Sequence, residues 1–217
     1  MTDTTTRLLP LAITGVDGHE ACVGALDETG RWLRPEPVTI AEVTAAEPAY
    51  RYWHWTDANL GPSTCDDARP EDRALLAAPR PGPPAVAPAD RAALLDGHAD
   101  TDVRTAIGDA HRSLGLVRAD VREVYLRRST GGRTFVRCRF TDGSGAEHDW
   151  IVPEIAFAAR ARKLIHSGRS GTDALAGAGS VYLALGLTKP NDRFPGRFGG
   201  CHPLVVGVHP VPAEADR

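Results

Sequence analysis

The sequence predicts a mainly β chain: two small barrels, residues 1–68 and 120–217, joined by a Pro-rich, partly helical connector over 69–119. Three observations predict it. Short runs rich in Val, Leu, Tyr and Trp recur between Gly-, Asp- and Pro-containing turns at both ends of the chain. The middle carries Pro79-Arg-Pro-Gly-Pro-Pro-Ala-Val-Ala-Pro88, whose composition makes a semi-rigid spacer. One helical pattern, 153–165, falls between the third and fourth strand candidates of the second half.

In order, residues 8–16, 20–26 and 31–35 read as three strands, with Asp17-Gly18 and Asp27-Glu-Thr-Gly30 as the turns. Three strands within 35 residues open a β-meander, a common start for a small barrel. Trp32 suits either stacking a base or closing the barrel, and Arg31 and Arg34 fall on opposite strand faces. Tyr50-Arg-Tyr-Trp-His-Trp55 is the densest aromatic cluster. Trp53 and Trp55 on one face could stack bases, or the strand could bury both rings. Residues 70–77 read as a short helix; the acidic Asp66, Asp67, Glu71 and Asp72 suit a solvated N-terminus better than the divalent-ion site they could also form. Residues 89–95 and 102–114 are helical by composition.

The second half opens at Asp120. Residues 121–128 and 134–140 flank the five-residue loop Ser129-Thr-Gly-Gly-Arg133. Antiparallel pairing then sets Arg127 opposite Phe135, Tyr125 opposite Arg137 and Glu123 opposite Arg139. One face becomes aromatic and cationic, and the other, with Val124, Leu126, Val136 and Cys138, apolar. A strand over 146–152 follows. The helix begins at Pro153 and carries Arg160, Arg162 and Lys163 near its end, where cations suit the helix dipole. Residues 180–190 and 201–209 supply two last strands, joined by a loop with Lys189, Arg193 and Arg197 beside Phe194 and Phe198. Cations among aromatics suit phosphate and base contacts; the phenylalanines equally suit packing on a barrel end. Strand-strand-strand-helix-strand-strand is the element order of an OB-fold barrel.

Composition bounds the function. The 42% apolar content is that of a globular chain. Net charge is −3, but residues 121–217 hold 14 Lys and Arg against 9 Asp and Glu, whereas residues 1–120 hold 11 against 19. This asymmetry points to a basic working half and an acidic half able to dock a protein partner. No run of about 18 apolar residues spans a membrane, and the first residues lack a secretory pattern. The expected location is therefore cytoplasmic, with reduced cysteines.

Several stretches in order resemble the dual OB-domain family of prokaryotic proteins. In the first half the likeness lies in Cys22-Val-Gly-Ala-Leu-Asp-Glu-Thr-Gly-Arg-Trp-Leu-Arg-Pro35. In the second it lies in Arg139-Phe-Thr-Asp-Gly-Ser-Gly145, Val152-Pro-Glu-Ile-Ala-Phe157, Tyr182-Leu-Ala-Leu-Gly-Leu-Thr-Lys-Pro190 and Leu204-Val-Val-Gly-Val-His209. The likeness covers both ends and skips 36–119. It implies two OB-type barrels and a nucleic-acid-binding or sensor role in genome defence.

Catalytic signatures are absent: there is no P-loop, no G-x-S-x-G, no H-E-x-x-H and no C-x-x-C. No cofactor is expected. The nucleic-acid face is assigned to Tyr125, Arg127, Phe135, Arg137 and Arg139, with Lys189, Arg193 and Arg197 from the last loop. Arginines would neutralise phosphates and aromatics would stack the bases of a strand of DNA or RNA, single-stranded in preference. The alternative is a small enzyme or metal-dependent accessory protein with a Cys/His site in the cleft between the barrels, its candidate metal ligands being Cys22, Cys65, Cys201 and His202.

Overall fold

The short apolar runs of the first residues form three antiparallel strands in the computed structural model, which describes residues 5–16, 18–64, 68–108, 111–192 and 196–213. They are β1 (Thr5–Gly15), β2 (Glu20–Asp27) and β3 (Trp32–Glu36). Asp27 builds the second turn, its Oδ1 accepting from the backbone of Thr29 (2.8 Å) and Arg31 (3.0 Å). A short β4 (Val38–Thr39) and α1 (Ile40–Thr44) follow. Then come β5 (His54–Ser63), β6 (Asp72–Leu75) and β7 (Arg80–Pro84).

Pairing runs β1-β2-β3-β6-β5 and returns from β5 to β1. The β3–β6 pair is parallel, setting Arg34 beside Asp72. Only Leu60–Leu75 and Ser63–Arg73 join β5 to β6, so the ring closes irregularly. Its interior is filled by Leu8, Val23, Ala25, Leu33, Tyr50 and Ala58.

The middle stretch departs from the sequence reading. Residues 70–77 are loop and strand rather than helix, because Asp72–Leu75 is drawn into the sheet as the parallel partner of β3. The proline run is an edge strand rather than a free spacer: β7 pairs with β5 alone, and an edge tolerates residues that lack an N–H. The helical segment is α2 (Arg91–His98). After it, among the described residues, stands one π-type turn, Arg104–Gly108, before a strand that begins at Leu114.

That strand, β8 (Leu114–Arg128), starts the closed barrel with β9 (Thr134–Thr141), β10 (Glu147–Ile151), β11 (Ala178–Leu187) and β12 (Pro203–Pro212). Its order is β10-β12-β11-β8-β9, closed by β9–β10. The β10–β12 pair is parallel and every other pair antiparallel. A register shift between Val121 and Glu123 bends the long β8, as a bulge does. Between β10 and β11 lies α3 (Ile155–His166), whose first turn is capped by Glu154 accepting from the backbone of Ala156 (3.1 Å) and Phe157. Phe157 and Ala161 pack into a core with Val117, Val136, Phe140 and Leu183. Among the described residues no helix is long and apolar enough to cross a membrane.

Ring and barrel share a third core. Leu9, Leu11, Leu26 and Trp32 from the ring meet Leu114, Leu116, Tyr182, Ala184 and Val206 from the barrel. Trp32, 8% exposed, is therefore interface core and not a stacking platform. Gly207 permits the close approach of β12 to β1: a Cβ there would stand 2.1 Å from the Leu11 carbonyl oxygen. Two residues on, buried His209 donates from Nε2 to the same carbonyl (2.7 Å), under the edges of Tyr52 and Trp53.

Burial pushes the His209 imidazole down to about 4, outweighing the opposing hydrogen bond to Leu11. The unfolded chain takes up this proton near pH 6.5 and the folded chain only near 4, so the unfolded state binds more protons in between. Stability from this site is full above about pH 6.5 and falls by about 3 kcal/mol on acidification to about pH 4. Urea unfolding at several pH values is expected to show that slope in the native protein, and His209→Gln is expected to remove it.

Candidate functional site

The β8–β9 register is the one the five-residue loop predicts: Glu123 opposes Arg139, Tyr125 opposes Arg137 and Arg127 opposes Phe135. Val124, Val136 and Cys138 point into the barrel, so Tyr125, Arg127, Phe135, Arg137 and Arg139 share its outer face. The hairpin turn is held by Ser129 N to Arg133 O (2.7 Å) and Gly132 N to Ser129 O (3.0 Å), with Gly132 at φ +83°.

The face is more nearly neutral than its arginines suggest. Tyr125 donates its hydroxyl to Asp149 Oδ2 (2.7 Å), and Arg137 donates Nε to Asp149 Oδ1 (2.9 Å) and Nη2 to the Asp149 carbonyl. Burial acts to raise the Asp149 carboxyl, but the hydrogen bonds from Tyr125 and Arg137 hold it below the usual range. Arg139 pairs with Glu123 (2.9 Å) and stands 5.6 Å from the centroid of the Tyr125 ring. Both partners of that pair are 48% exposed, so it adds little stability. Sequence reasoning missed Asp149. The signal was its place on β10 directly opposite Arg139.

Other cations have no carboxylate partner among the described residues. Arg127 and Arg133 are exposed beside the hairpin turn. Arg162 on α3 reaches the same end of the barrel, donating Nη2 to the Thr134 carbonyl (3.1 Å). The last loop divides: Lys189 lies 3.4 Å from Glu36 of the ring, Arg197 is exposed, and Arg193 falls outside the described residues. Phe198 packs edge-on to Trp150 (6.5 Å), so this phenylalanine closes the barrel end. Trp53 and Trp55 pack against the shared core under Arg91 and Arg7, each 4.9 Å from its ring.

Beside Phe135 opens a cleft of about 1080 Å³ between the ring and the barrel, also lined by Lys189, Cys22 and His202. At its floor is a buried charged network. Arg34, 1% exposed, pairs with Asp72 and donates Nη1 to Ser113 Oγ (3.0 Å) and Nη2 to the Ser113 carbonyl (3.3 Å). Glu71 accepts from Ser113 N (2.9 Å) and Oγ (2.6 Å). Arg69 pairs with Glu36 (2.7 Å) and Asp72 (3.1 Å). The expected solvated acidic cluster is thus buried at Glu71 and Asp72, because cations from β3 and the preceding loop neutralise it; Asp66 and Asp67 lie outside the described residues.

The alternative metal set falls only partly within the described residues. Cys22 and His202 line the cleft, Cys201 is buried, and Cys65 is outside the described residues. Among the described residues no three His, Cys, Asp or Glu side chains are grouped to hold a metal ion. Burial pushes the Cys22 thiol up despite the nearby Arg34 and Arg69, and the thiol form is a weak nucleophile. No protein-family profile and no curated protein matches the chain.

Removing one partner of a buried ion pair leaves an uncompensated charge. Asp72→Ala is expected to lower unfolding free energy by about 3–5 kcal/mol in urea titrations, and Arg34→Met combined with Asp72→Leu to recover most of that loss.

Proposed function

We propose that the protein binds single-stranded DNA or RNA without catalysis, through the outer face of its C-terminal barrel. Strand order supports an OB-type reading. Numbered one to five from β8, the barrel pairs one-two-three-five-four-one, with a parallel three–five contact and a helix between strands three and four. The ring repeats the circuit as β1-β2-β3-β6-β5, with a parallel β3–β6 contact. Two such units in one chain agree with the resemblance to the dual OB-domain family and with a genome-defence setting.

In OB barrels the face of strands two and three, with the loops after strands one and four, takes up oligonucleotides. Here these are β9 and β10, the hairpin turn at 129–133 and the loop at 188–202. The observation that carries the reading is the group of cations without a carboxylate partner among the described residues, Arg127, Arg133 and Arg162, at the end of the face that also holds Phe135 and Tyr125. The carboxylate-bound Arg137 and Arg139 orient Tyr125 and contribute less to phosphate attraction.

Fluorescence anisotropy with a labelled single-stranded 12-mer across a salt series tests this. Each phosphate contact contributes a slope of about 0.7 in log K against log salt. Arg127→Ala with Arg133→Ala is therefore expected to flatten the slope by about 1.4, and Phe135→Ala to weaken binding by about 1–3 kcal/mol at every salt concentration. Binding that ignores salt, or a slope the double variant leaves unchanged, rejects the assignment.

A further inference from the structure

Two residues belong to the cleft and to the outer face alike. Phe135, on β9, lines the cleft. So does Arg162, which also reaches the hairpin end of the face through its hydrogen bond to the Thr134 carbonyl (3.1 Å). Whatever occupies the cleft therefore meets groups that the face also uses.

The walls decide what that occupant is. Ile155, Ala158 and Arg162 fall at i, i+3 and i+7 of α3, so they form one stripe along the cleft. Ile155 packs over β1, its Cγ1 3.9 Å from where a Cβ on Gly15 would stand. Leu114, Ile151 and Val206 extend the apolar wall. Next to Gly15, Val16 also lines the cleft, and at 61% it is one of two exposed large apolar side chains among the described residues. From Ile155 to Arg162 the stripe runs about 10 Å, roughly the length of an extended ten-carbon chain.

Charge sets the other end. Arg34 and Arg69 are matched by Asp72 and Glu36, and Lys189 also lies near Glu36. The Glu154 carboxylate is occupied by Tyr52 and by the first turn of α3. Glu20 is exposed beside Val16, at the Ile155 end. Arg162 is exposed and carries no carboxylate partner among the described residues. A free cation at one end of an apolar cleft matches an amphipathic monoanion, its chain on the walls and its head on the guanidinium.

We propose that the cleft is an effector site for an alkyl carboxylate, its chain along Ile155 and Ala158 and its carboxylate on Arg162, and that this occupant competes with the strand for Arg162 and Phe135. The competition rests on the nucleic-acid reading above; the binding of the carboxylate does not.

Calorimetric titration with decanoate, hexanoate and decylamine, each below its micelle-forming concentration, tests the cleft by itself. A buried methylene adds about fourfold in affinity, so decanoate is expected to bind on the order of a hundredfold more tightly than hexanoate, and decylamine not measurably. Arg162→Gln, at an exposed position, is expected to weaken decanoate by about tenfold or more. Ile155→Trp, which fills the cleft, is expected to abolish its binding; Ala158→Leu on the same wall serves if the Trp variant does not fold. In the anisotropy assay saturating decanoate is expected to weaken the 12-mer by about tenfold. No decanoate binding, equal affinity for hexanoate or decylamine, or binding that Arg162→Gln or both filling variants leave unchanged overturns the cleft assignment. If the 12-mer then still binds in an Arg127-dependent manner, only the cleft assignment fails. If decanoate binds as expected and the 12-mer does not bind, the strand reading fails and the cleft stands as a carboxylate site. Strand affinity that saturating decanoate leaves unchanged overturns the competition.

Discussion

A guanidinium taken out of water must be matched by carboxylate and hydrogen-bond acceptors, and Arg34 is almost wholly buried. Meeting that demand fixes several distant parts of the chain together. Asp72 has to stand beside Arg34, which sets β6 parallel to β3 and closes the first ring. Glu71, the preceding residue, binds Ser113, and Ser113 also accepts from Arg34. The next residue, Leu114, begins β8. Ring closure and the start of the barrel are thus held by one polar network. Such a network adds less to net stability than apolar packing of equal volume would. It selects one arrangement, because any other leaves a charge unmatched.

The same constraint shapes the surfaces available for binding. The buried network forms the floor of the cleft, and the carboxylates that neutralise Arg34 and Arg69 keep that floor close to neutral. On the outer face a similar arrangement recurs in more exposed form. Asp149 holds Tyr125 and Arg137, and Glu123 holds Arg139 above the Tyr125 ring. These carboxylates reduce attraction for phosphate but fix an aromatic ring and two planar cations in place. Rigid groups lose less freedom when a ligand arrives.

Much of the C-terminal barrel could be read in the sequence because its signals are local. A five-residue loop between two alternating runs sets the β8–β9 register, and the inward positions of Val124, Val136 and Cys138 follow from it. What could not be read depends on partners far along the chain. Asp72 and Glu71 look like solvated acids until Arg34, 38 residues before Asp72, is known to face them. The prolines of β7 look like a spacer because an edge strand that pairs on one side leaves no periodic signal. The buried role of His209 is not legible because its acceptor, Leu11, lies 198 residues away. Asp149 is intermediate: it lies on a strand the sequence shows, but its place opposite Arg139 and its dual role as partner of Tyr125 and Arg137 required the structure.

The shared core between ring and barrel also governs how the chain behaves while it is being made. Leu9, Leu11, Leu26 and Trp32 emerge early, whereas Tyr182, Ala184 and Val206, which cover them, come late. At about 5–20 residues per second, the interval between Trp32 and Val206 lasts on the order of ten to thirty seconds. For that time the ring presents an apolar outer face that its own sequence cannot cover. Apolar surface left uncovered over that interval favours aggregation of the nascent chain. The face is covered when β12 settles against β1, at the point where Gly207 lets the two backbones meet.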